Sequence, residues 1–356
     1  MITRRSLLAA ALAAGAAVPL GAGPALAAPP RLRLPRPTGP HPIGVVPWHL
    51  TGARELMASV WYPARVSHRR RAEWLLPAPT RALLGAVGFD QNVALAPVTA
   101  GRLGAPVAAG RHPVILYSHG NDGHRGEATT MVQELVSHGY VVVTVDHTGD
   151  AYTEFPGGRL SVPDEGSFTP WDSAHDMVLV LDRVEDLALG PVSAAALDLR
   201  RVGIAGWSKG GTSAALVMNI DRRVRAGLSL DGPMESQPRP TAIDRPFMLM
   251  TAESVRGTEP VDTLWSLLRG WRLTMHACGA AHGSYCDNPT LLTQLARITG
   301  MSDEELIEWI GTLDAGRATR IQQAYPLAFF DLHLRGRRQR LLERPSPAFP
   351  EVRFIR

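Results

Sequence analysis

Lysine is nearly missing from this chain: its 356 residues hold one, Lys209, against 36 arginines. An excess of either charge sign is missing too. The 37 basic and 33 acidic residues become 35 and 33 once Arg4 and Arg5 are set aside with the leader expected at the N-terminus, a balance that gives no footprint for a polyanion. The arginine clusters 69–71, 222–223 and 337–338 carry no interleaved aromatics, which excludes a nucleic-acid path and leaves solvated surface. Beyond the N-terminus no stretch is long and apolar enough to span a bilayer. Internal repeats are lacking, and so is a metal-ligand spacing such as H-E-x-x-H. Cysteine is limited to Cys278 and Cys286.

The N-terminus does carry a pattern. Arg4-Arg5, an Ala/Leu run and Ala25-Leu26-Ala27 have the three parts of a twin-arginine export signal over residues 1–27. Its alternative is an uncleaved membrane anchor, against which Pro19, Pro24 and the cleavage pattern speak. Export would place the protein outside the cell or in its envelope, where Cys278 and Cys286 are expected to pair across a short loop. The Pro- and Arg-rich residues from 28 give an extended N-terminal segment over 28–54, ahead of a main domain over 55–356.

Within that domain, continuous apolar runs read as strands buried on both faces: residues 112–117, 141–145, 201–205, 226–230, 247–251 and 272–276, after an early strand at 55–62. Helical spacing recurs between them over 131–138, 172–189 and 211–220. Residues 64–110 show no sustained period and are expected to wrap the surface, and 148–171 form a long polar loop of the kind that covers a site. Ser302-Asp303-Glu304-Glu305 is a capping box, and a last helix is expected from about 317 to 334, before a proline-containing tail. The alternation predicts an α/β fold, mostly a parallel sheet with helices on both faces and a helical C-terminal cover. Ligands in such sheets bind beyond the carboxyl ends of the strands.

At one of those ends stands Gly206-Trp207-Ser208-Lys209-Gly210. Glycines two before and two after a serine permit a tight strand-to-helix turn that exposes a nucleophilic hydroxyl. Alone the motif is weak in a chain with 34 glycines. Asp231, 23 residues later, directly follows a strand, and His282 lies in the loop after the last predicted strand. The order Ser, Asp, His is that of a hydrolase triad, with His282 as general base and Asp231 orienting it; Glu253, which ends the next strand, is the rival acid. The backbone N–H groups of Lys209 and Asn121 are the candidate oxyanion donors. His119 and His147 read as loop-orienting or pocket residues.

Pro113-Val114-Ile115-Leu116-Tyr117-Ser118-His119-Gly120, the Ser208 motif, Leu230-Asp231-Gly232 and the His282 loop together resemble the platelet-activating factor acetylhydrolase branch of the α/β-hydrolases and related bacterial lipases. The likeness covers roughly residues 55–336. It implies a metal-independent carboxylic-ester hydrolase without a cofactor, acting on a small-molecule ester or lipid and touching a lipid surface at most transiently. It also favours Asp231 over Glu253, because in that branch the acid follows the strand after the nucleophile helix. Two positions depart from the branch: Trp207 stands where His is frequent, and Lys209 where an apolar residue is common. The lone lysine is either an exception in an arginine-biased composition or an ammonium that reaches an anionic or carbonyl group of the substrate. Three rival classes stay open at this point: an acyltransferase using the same acyl-enzyme, a non-catalytic binding protein on a hydrolase scaffold, and a metal hydrolase using His119, His124, Asp146 and His147.

Overall fold

The computed structural model describes residues 28–355 apart from 165 and 167; the export signal expected over 1–27 lies outside them. Eleven strands form one sheet: β1 (Ile43–Leu50), β2 (Leu56–Pro63), β3 (Arg71–Glu73), β4 (Val98–Leu103), β5 (His112–Ser118), β6 (Val141–Asp146), β7 (Leu197–Trp207), β8 (Val224–Leu230), β9 (Phe247–Thr251), β10 (Arg272–Ala277) and β11 (Val352–Phe354). Their spatial order is β11-β10-β9-β8-β7-β5-β6-β2-β1-β4-β3. The six strands from β6 to β10 along this order are parallel. Antiparallel β2 and β11 flank them.

Alternation along the strands explains why helices must cover both faces. In β5, Val114 and Leu116 enter one apolar cluster while Ile115 and Tyr117 enter the other. Helices α1 (Pro77–Ala86), α2 (Thr129–Ser137), α3 (Pro170–Val184), α4 (Lys209–Ile220), α5 (Glu259–Leu267), α6 (Asn288–Thr299), α7 (Asp303–Ile310) and α8 (Ala315–Arg335) accompany the sheet. Helices α3, α4 and α5 pack on the Val114 face, and α2 and α8 on the Ile115 face. A third, smaller cluster joins Leu32, Leu84, Leu291, Leu292, Leu295 and Ile310, and thereby unites the N-terminal segment with α1, α6 and α7. Among the described residues no helix is long and apolar enough to cross a membrane.

Several sequence expectations need correction. Residues 64–110 do not merely wrap the surface; they hold β3, α1 and β4. Their periodicity is masked because α1 begins Pro-Ala-Pro and because β4 carries Gly101 and Arg102. The extended segment 28–54 contributes β1, paired along its whole length with β2. The tail adds β11, and the helix expected to reach 189 stops at Val184. The expected Cys278–Cys286 disulfide is absent: both cysteines are free. Cys278 ends up beside the edge strand, its N–H donating to Glu351 O, whereas Cys286 is buried under the His282 turn with its thiol on Gly283 O at 3.4 Å. Short spacing in sequence does not make two side chains face each other.

Candidate active site

The turn between β7 and α4 is too tight for side chains at its flanking glycines. A Cβ on Gly206 would stand 2.2 Å from Gly210 C, and one on Gly210 would stand 2.1 Å from Ser118 O. Ser208 between them takes φ 55° and ψ −124°, a backbone region that costs a non-glycine residue about 1–3 kcal/mol. Its N–H is tied to Leu230 O at 2.9 Å. The core on both faces of the sheet maintains this conformation, which presents the hydroxyl at the carboxyl edge of the strands.

Three residues from separate strand ends meet there. Ser208 Oγ and His282 Nε2 are 2.8 Å apart, and His282 Nδ1 and Asp231 Oδ2 are 2.6 Å apart. Asp231 is fully buried after β8, and its second oxygen accepts the Ala252 N–H at 2.6 Å. A carboxylate held in this way fixes the imidazole's tautomer and plane. The rival acid is engaged elsewhere, Glu253 lying 2.9 Å from His276 Nε2. His282 opens a single 3-10 turn whose carbonyls at Ser284 and Cys286 both accept from the Gln322 amide of α8 at 2.8 Å. Trp207 lies over the imidazole, ring centroids 4.8 Å apart, and donates its indole N–H to His282 O at 2.9 Å.

The loop after β5 approaches the same point. Gly120 N donates to Glu127 Oε1 at 2.8 Å, an oxygen that also accepts the Tyr117 hydroxyl at 2.9 Å. Burial pushes the Glu127 carboxyl up to about 8. Asp287, which accepts the Thr129 and Thr130 N–H groups at the start of α2 at 2.9 and 3.0 Å, is pushed up by burial to about 6. His119 and His147 serve the loop from behind: His119 Nε2 accepts the His147 N–H at 3.1 Å, while His147 bridges Ser118 Oγ at 2.9 Å and Asp176 at 3.0 Å. Burial lowers the His119 imidazole to about 4 and that of His124 to about 3. Asp146 is taken by Arg125, and among the described residues no group of three or more His, Cys, Asp or Glu is arranged to hold a metal ion.

The Lys209 ammonium is engaged within the protein. Its side chain is buried, with the ammonium 2.5 Å from Asp150 Oδ1, 3.0 Å from Asn121 Oδ1 and 3.2 Å from Phe168 O. All three acceptors belong to loops around the site. Beside the turn lies a cavity of about 340 Å³ with Trp207 and Asn121 in its wall and Trp74, Phe89, Leu292 and Trp309 around it. The cover expected from the 148–171 loop and the C-terminal helices supplies Tyr152, Leu291 and Trp309. The wall from Trp74 and α1 has no sequence signal, because it assembles single residues from distant segments.

Known proteins agree with this architecture. The family model for platelet-activating factor acetylhydrolase, isoform II, matches residues 27–153. A probable 1-alkyl-2-acetylglycerophosphocholine esterase of Arthroderma benhamiae is 25% identical over 266 residues, covering 68% of this chain; the chain thus spans just under two thirds of that relative, 66%. The solved structure of a ferulic acid esterase from Streptomyces cinnamoneus superposes with a TM-score of 0.79 at 33% identity, over 91% of this chain and 99% of that one. The chain therefore belongs to the α/β-hydrolase family of esterases, and over residues 27–153 it is similar to the platelet-activating factor acetylhydrolase branch.

Proposed function

We propose that the protein is an exported serine esterase that cleaves carboxylic esters through an acyl-enzyme. His282 Nε2 takes the Ser208 proton as Oγ attacks the ester carbonyl carbon, and the carbonyl oxygen becomes an oxyanion facing the backbone N–H groups of Lys209 and Asn121. Collapse breaks the bond to the alkoxy group, which leaves with the proton from His282. Water then gives its proton to the same nitrogen, attacks the acyl carbon and releases the acid, restoring Ser208. Asp231 stabilises the imidazolium in both halves. The observation that carries this reading is the continuous Ser208–His282–Asp231 hydrogen-bond chain, 2.8 and 2.6 Å, mounted on the φ 55° turn.

The cavity favours one class of substrate. At about 340 Å³ it lies near the bottom of the range for small-molecule sites, about 300–1,000 Å³, and its wall is aromatic and aliphatic. It suits a compact apolar or aryl group better than a long acyl chain, which fits both the acetyl ester and the ferulic ester named for the relatives. Export rests on the Arg4-Arg5 leader, and release of a mature protein beginning near Ala28 would support it.

A fluorophosphonate should label Ser208 alone, and Ser208→Ala should lower kcat by about 10⁴-fold or more. Activity across a ladder of nitrophenyl esters should peak at short or aryl acyl groups. Folded, active protein that is unlabelled at Ser208 would remove the mechanism, and a preference for long chains would remove the substrate class.

A further inference from the structure

An oxyanion donor is useful only if its N–H direction is fixed before the charge develops. The backbone N–H of Lys209 starts a helix, so its direction follows from α4. That of Asn121 belongs to an irregular loop, residues 119–123, and needs restraint from outside. The structure supplies restraint at three consecutive residues. Gly120 N donates to Glu127; the Asn121 side-chain oxygen accepts from Lys209 Nζ at 3.0 Å; and Asp122 N donates to Asp150 Oδ1 at 3.3 Å, where the loop turns through φ 52°. The last two anchors are the two halves of one ion pair, 2.5 Å apart with side chains 8% and 3% exposed.

A buried ion pair is a poor device for stability, since desolvation consumes most of the attraction. It is a good device for geometry. The ammonium has three protons and meets three oxygens, on Asn121, Asp150 and Phe168. They belong to two separate loops, a spread of directions that a compact ammonium serves and a planar guanidinium fork does not. In a chain of 36 arginines, the single lysine stands at that point.

We propose that Lys209 and Asp150 form a positioning clamp for the oxyanion hole: the lysine side chain sets the Asn121 N–H against the N–H of the same lysine. The clamp rests on the serine mechanism proposed above. It acts through the loop and does not touch the substrate.

The test uses the full folded enzyme, a soluble nitrophenyl acetate and phenylboronic acid, which forms a tetrahedral anion on a serine and mimics the oxyanion state. Lys209→Met combined with Asp150→Asn removes the clamp without stranding a buried charge. Asn121→Ala removes one arm and keeps both the backbone N–H and the ion pair. The double variant should lose about 100-fold in kcat and Asn121→Ala about 10-fold, with KM changed less than about threefold. Boronic acid affinity should weaken in proportion to kcat, which a purely structural role would not produce. If folded Asn121→Ala and the double variant keep kcat within about twofold, or lose only KM, the clamp is wrong. Should the double variant not fold, Asn121→Ala decides alone. Ser208→Ala separates the two ideas, because turnover surviving that change removes the serine mechanism itself, whatever the clamp variants do.

Discussion

Ser208 at φ 55° and Asp231 at φ 50° hold conformations that side chains avoid. Both stand directly after a parallel strand, where buried core on either side can impose the strain. A third residue bears a different cost. Glu127 is buried with its carboxyl raised to about 8 from an ordinary value of 4.5. The unfolded chain releases that proton near 4.5 and the folded chain only near 8, so the group's contribution to stability is fully present below the lower value. It is lost progressively as pH rises between the two, then stays constant. Glu127→Gln keeps an acceptor for Gly120 N and Tyr117 and has no proton to lose. Its melting temperature should rise relative to wild type from pH 4.5 to pH 8 and show no further relative gain above that; parallel curves across this window would contradict it. The free thiols make a second test at this scale. In native protein a thiol reagent should modify the partly exposed Cys278, while Cys286, 2% exposed, should react only on unfolding.

At the scale of elements, the short helix α7 does more than its length suggests. Its last carbonyl braces the His282 turn, Ile310 O accepting the Ser284 hydroxyl at 2.6 Å, and the Thr312 N–H just beyond it donates to Gly279 O at 2.8 Å. Trp309 on the same helix lines the cavity. Eight residues are too few to be stable alone, so the start signal matters: Ser302 Oγ accepts the Glu305 N–H at 3.2 Å and Glu305 returns a bond to Ser302 N–H at 2.9 Å. Ser302→Ala should lower unfolding free energy by about 1 kcal/mol in a denaturant titration. Trp309→Ala should raise KM for aryl esters while leaving acetyl-ester kcat within about twofold; an equal loss of kcat for both would place Trp309 among the residues that hold the base. The capping box was visible in the sequence because capping is local chemistry. The use made of α7 was not, since Gly279, Ser284 and the aromatic wall reach it from elsewhere in the chain.

At the scale of the molecule, legibility follows the same division. The parallel strands announce themselves as apolar runs because both faces are covered, and their carboxyl ends therefore gave Ser208, Asp231, His282 and the Asn121 loop as neighbours before any coordinates. The structure brings the first three into one hydrogen-bond chain and sets the loop against the Ser208 turn. Strands at or near the sheet edge, β1, β3, β4 and β11, were hidden, because partial exposure, Pro47 and Gly101 dilute their pattern. The cavity wall was hidden for another reason: Leu32, Trp74, Leu84 and Leu292 share no period. Spacing also misjudged the cysteines, and it left open the role of Lys209, whose partners lie 41 to 88 residues away.

The solitary lysine also gives the molecule a built-in proteolytic clock. A lysine-specific endoprotease has one cleavable bond in the whole chain, Lys209–Gly210, and in the folded protein both residues are buried in the first turn of α4. Fraying ends and mobile surface loops offer such an enzyme nothing to cut. Appearance of the two fragments, ending and beginning at that bond, would therefore time the opening of the Ser208 turn itself.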